Sequence, residues 1–124
     1  MLVDASGVDL MVRFPDPDWL SDRERLEAWR ELRRVRNRLD AAMCRLVGMI
    51  ERDCSFECED APTVASWLVG EGESASAARS VVASARALEE MPATAGAFEA
   101  GDLDVPRVRM LVEAREAAPG RVRP

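Results

Sequence analysis

Residues 21–53 read SDRERLEAWRELRRVRNRLDAAMCRLVGMIERD, and this stretch decides the fold class. It opens on Ser21 with Glu24 in the S-x-x-E pattern of a capping box, in which two orphan backbone donors are satisfied reciprocally. Leu32, Val35, Leu39, Ala42, Leu46 and Met49 then recur at alternating spacings of three and four, which sets them on one helical face. Met43 and Ile50 widen that stripe, while Arg30, Arg33, Arg34, Asn37 and Asp40 fall away from it. The pattern predicts one helix from about Ser21 to Asp53, roughly 45–50 Å long at 1.5 Å per residue.

Two uses of the stripe follow. It covers under three heptads, short of what argues for a coiled coil, so the favoured reading is the core-facing side of a bundle helix. The alternative is an interaction seam of Leu32, Val35, Leu39, Leu46 and Met49 for a second copy or another helical protein. Arg33, Arg34, Arg36 and Arg38 are basic enough to meet phosphate. Glu27 with Arg30, Glu31 with Arg34 and Arg36 with Asp40 are near neighbours on the helix surface, which favours a solvated face.

Working outward, residues 1–20 read as an irregular lead-in, because Pro15 and Pro17 deny the backbone regular hydrogen bonding. Trp19-Leu20 is expected to pin that segment onto the long helix, and Trp29 to pack against residues 14–20 or a partner. After the long helix, the acidic stretch Asp53–Pro62 reads as a linker. A short helix over 63–69 follows, ended by Gly70 and Gly72, with Trp67 as its core anchor. Ser74 caps a third helix whose inward stripe is Ala78, Val81, Val82, Ala85 and Leu88. Pro92 suits the first turn of a fourth helix, 92–100, closed by Gly101. Asp104 caps a fifth, with Val108, Leu111 and Val112 facing inward, and residues 119–124 read as a frayed tail. The organisation is an all-α domain over 21–118, one long helix followed by four shorter ones.

Composition agrees. Apolar residues make up 48% of the 124, much of it alanine, and only 5% is aromatic, a mix that favours closely packed helices over strands. All 17 basic residues are arginine, which with the abundant alanine reflects GC-rich codons before it reflects phosphate binding. The net charge of −6 speaks against non-specific attraction to nucleic acid or anionic membrane. No apolar run approaches the roughly 18 residues of a membrane span, and the N-terminus shows no secretory signal. Three cysteines, an odd count, suit a reducing cytoplasm.

Chemistry is harder to find. With no histidine there is no Ser-His or Cys-His pair and no imidazole metal site, so no enzyme activity and no cofactor is expected. Cys54 and Cys58 beside Glu57 and Glu59 lack a second ligand pair, and idle cysteine is the favoured reading over a metal site. The helix over 63–69, the turn at 70–73 and the helix over 75–90 have the order of a helix-turn-helix. Its second helix would offer Ser76, Arg79, Ser80 and Arg86 to a DNA groove, with Arg33 and Arg34 as backbone contacts. Glu89 and Glu90 make that footprint poor.

Beyond these readings, three runs carry a family resemblance: Asp60-Ala-Pro-Thr-Val-Ala-Ser-Trp-Leu, Ala85-Arg-Ala-Leu-Glu-Glu-Met-Pro-Ala-Thr, and Ala97-Phe-Glu-Ala-Gly-Asp-Leu. With the Arg-rich helix before them, they resemble the family called domain of unknown function 222. The resemblance covers the chain from about residue 20 onward. Members occur in high-GC bacteria, actinobacteria among them, and in their mobile elements, usually ahead of an HNH nuclease domain. The resemblance therefore implies an accessory module without catalytic residues of its own, since an HNH site needs histidines that this chain lacks. Residues 63–111 also look like the helix-turn-helix core of partition-type DNA-binding proteins. Three expectations stand: a DNA-associated accessory module, an interaction or dimerisation module built on the long helix, or a truncated copy with no independent role.

Overall fold

Nearly every helix begins on the cap that its sequence offers. In a computed structural model that describes residues 16–118, α1 spans Asp22–Arg52, α2 Val64–Gly70, α3 Ala75–Leu88, α4 Pro92–Glu99 and α5 Val105–Ala117. No strand occurs among the described residues. Ser21 Oγ accepts from Glu24 N at 3.2 Å while the Glu24 carboxylate accepts from Ser21 N at 2.9 Å, completing the capping box. Thr63, Ser74 and Asp104 each accept a backbone N–H from three residues on, and Pro92 occupies the first turn of α4. Gly101 ends α4 with φ +89, the conformation that a C′ glycine supplies. Residues 1–15 of the lead-in and the tail at 119–124 lie outside the described residues.

α3 is the hub. It packs against α1, α2, α4 and α5, and α1 also meets α4 and α2. The centre is built from small side chains: Ala41, Cys44 and Val47 of α1, Ala78, Val82, Ala85 and Ala87 of α3, and Val108 and Val112 of α5. Val64 and Leu68 of α2 and the ring of Phe98 from α4 complete it. Ala78 is fully buried, and a Cβ at Gly48 would stand 3.7 Å from Ala85 Cβ, so α1 and α3 approach closely enough that alanine-sized groups fill the gap.

Four expectations need correction. The acidic stretch 53–62 is not a plain linker: Cys54 and Asp60 both take left-handed backbone and bracket a 3₁₀ turn, Ser55–Glu59, whose Phe56 packs on the core. Trp19 is 85% exposed while its neighbour Leu20 is half-buried, and Leu111 is exposed where Val108 and Val112 are buried. The largest correction concerns α1. Its buried face is Asn37, Ala41, Cys44 and Val47, not the stripe from Leu32 to Met49. Two residues along an α-helix turn about 200°, so Val35, Leu39, Ala42 and Leu46, each two positions from a buried residue, lie on the opposite side, with Met49 at the edge, lining the groove beside Ala85 and Leu88. Leu32, Met43, Leu46 and Met49 are exposed, with Val35, Leu39, Ala42 and Ile50 half-buried. The stripe predicted from the spacing is real, but it covers the other side of the helix.

Candidate interaction surfaces

The first surface is the α2–α3 hairpin with the arginines of α1. The order helix, short turn, helix is present, and α2 packs directly on α3. Ser76 and Arg79 are exposed on the outer side of α3. Ser80 is half-buried and accepts a hydrogen bond from Arg109 Nε of α5 at 2.8 Å. Arg86 is engaged with Glu51 of α1 through both nitrogens of its fork, the Nε contact at 2.8 Å. That pairing holds the Glu51 carboxyl below the usual range and raises the guanidinium. Glu71 and Glu73, exposed in the turn just before α3, put negative charge where a groove-binding helix would meet phosphates.

Arg33 and Arg34 are likewise engaged with groups of the same chain. Arg33 donates to Asp104 at 2.7 Å and lies 5.3 Å over the Trp29 ring, while Arg34 donates to Asp102 at 2.8 Å and to the Ala100 carbonyl at 3.1 Å. Asn37, buried, donates to the Gly101 carbonyl at 3.2 Å. These three side chains from successive positions on one side of α1 clasp the α4–α5 turn. Asp104 serves twice: the Arg107 backbone N–H and then the Arg33 guanidinium hold its carboxyl below the ordinary value. Sequence spacing did not disclose this clasp, because its partners lie more than sixty residues apart along the chain.

The second surface is the outer face of α1. Leu32, Met43, Leu46 and Met49 form its exposed apolar positions, and Val35, Leu39 and Ala42 lie between them. Toward the N-terminus, every residue from Asp22 to Leu32 is exposed except half-buried Ala28, and Leu26 and Trp29 add apolar area there. The inner face carries a contrast in chemistry: burial, and then the neighbouring Asp40 carboxylate, pushes the Cys44 thiol up to about 11. Burial raises Asp40 itself.

A shallow groove between α1, α3 and α4 is lined by Cys44, Gly48, Ala85 and Phe98, and a second by Phe56, Thr63, Arg79 and Arg86. Among the described residues no group of three Cys, Asp or Glu side chains is placed to hold a metal ion, and no helix is long and apolar enough to cross a membrane.

The family described as Domain of unknown function (DUF222) matches residues 26–123. The chain belongs to that family. The match runs from within α1 through α5, and it contains both the α1 stripe and the α2–α3 hairpin. No curated protein and no solved structure matches the chain.

Proposed function

We propose that this DUF222 chain is a non-catalytic accessory module that works by association, with the outer face of α1 as its seam. One observation carries the reading: Leu32, Met43, Leu46 and Met49 of α1 are exposed, while the core is built by its smaller Ala41, Cys44 and Val47, with Ile50 packed at the core's edge. Leu32, Leu46 and Met49 are still 40–55% exposed, so a seam that covers them removes the remaining apolar area of each from water, which favours association. A contiguous apolar stripe flanked by charge is also the usual mark of a protein-contact surface. The accessory setting, ahead of an HNH nuclease region of mobile elements, is what the family resemblance implies. A cytoplasmic location fits three free thiols.

Light scattering across a wide concentration range tests association. The expected result is a mass twice that of the 13.7 kDa chain, reverting to the single-chain mass in Leu46→Asp. A single-chain mass throughout would overturn the reading.

DNA binding by the α2–α3 hairpin is a second reading, favoured by the exposure of Ser76 and Arg79 at the start of α3. It has less support, because Arg33, Arg34 and Arg86 are each engaged with a carboxylate of the same chain.

A further inference from the structure

We infer that the α1 seam pairs with a second copy of this chain in parallel and in register; this rests on the association reading above. With Leu32, Leu39 and Leu46 at heptad positions a and Val35, Ala42 and Met49 at d, buried Asn37 and Cys44 fall at f, the position farthest from a seam. The helix therefore serves its own core and a partner at once, without either face displacing the other.

Two features select the parallel arrangement. The first is length. α1 runs from Asp22 to Arg52, and its exposed N-terminal part carries Trp29 and Leu32, with Ala28 half-buried beside them. An antiparallel mate centred on the stripe sets Leu32 against Met49 and ends opposite Trp29, so residues 22–28 overhang with nothing beside them. A parallel mate lays both N-terminal parts side by side. The second is charge. In the parallel register, exposed Glu31 at g faces Arg36 at e of the other copy, and the two-fold axis makes this contact twice. The remaining e positions alongside the stripe are Met43 and Ile50, so no like-charged g–e pair opposes the register.

Disulfide trapping reads the orientation. In the full chain carrying Cys54→Ser and Cys58→Ser, Ala42→Cys should form a covalent dimer on mild oxidation, since d meets d only in the parallel register. Glu31→Arg and Arg36→Glu should each weaken dimerisation about three- to tenfold, and the double variant should restore it. All three positions lie off the core-facing side, and circular dichroism checks that each variant is as helical as the parent. A dimer that traps only when Ala42→Cys is mixed with Leu39→Cys is antiparallel and overturns the inference while leaving association intact. A dimer that the charge exchange leaves unchanged overturns it as well. A chain that stays single at every concentration overturns both.

Discussion

The two faces of α1 differ in a way that inverts the simplest rule about cores. The inner face, Asn37, Ala41, Cys44 and Val47 with Gly48 alongside, is made of small or polar residues and is buried. The outer face holds leucine and methionine and is open, Leu46 being 55% exposed. The inner face is buried by backbone proximity: alanine and glycine let α1 and α3 approach until their Cβ positions are in van der Waals contact. Side-chain size then describes how far away the next surface is, and Leu32, Met43 and Leu46 lie where no other described helix covers them.

The contrast is broken most directly by exchanging sizes. Ala41→Leu should overpack the inner face and cost about 1–3 kcal/mol in denaturant unfolding, whereas Leu46→Ala in dilute solution should stay within about 0.5 kcal/mol. The reverse ranking would mean that the faces are assigned the wrong way round.

Next in size is the clasp at the flank of the inner face. Asp104→Ala removes the α5 cap and the Arg33 partner together, for an expected loss of about 0.5–2 kcal/mol at neutral pH. Because the folded carboxyl titrates below its ordinary value, its stabilisation is present above about pH 4 and is lost as pH falls through the lower folded value. Thermal melts from pH 7 to pH 2 should accordingly converge for parent and variant at the acid end. A constant gap would remove the carboxylate from the explanation.

The smallest effect sharpens the picture of close approach. A Cβ at Gly48 meets Ala85 at an ordinary 3.7 Å, so Gly48→Ala should stabilise the chain by about 0.5–1 kcal/mol through helix propensity. Destabilisation on calorimetry would show that the helices are closer than contact at Ala85 allows. Gly101 is the opposite case. Its φ of +89 and the 2.9 Å from an added Cβ to the Arg34 carbonyl leave no room for a side chain.

How much of this was legible beforehand follows the range of each interaction. Helix starts were readable residue by residue, because Ser21, Thr63, Ser74 and Asp104 cap donors only two or three positions away. The inward stripe of α3 was readable too, since a hub helix buries its apolar side whatever surrounds it. Arg86, expected at a DNA groove, and Arg33 and Arg34, expected at the DNA backbone, each hold one of the molecule's own carboxylates. Periodicity says nothing about a partner thirty or seventy residues away.

Local chemistry alone was enough to set the five α-helices of the described residues, their caps and the existence of an apolar stripe on α1, because hydrogen-bond closure and the 3.6-residue turn act within a few residues. Which side of α1 faces inward was decided by tertiary packing. Alanine, cysteine and glycine allow the close approach that α3 and α4 require, and the clasp of Arg33, Arg34 and Asn37 on the 100–104 turn orients the helix about its axis. Leu32, Leu46 and Met49 of the stripe expected to build the core were thereby left exposed, on the face that we propose as the seam for another chain.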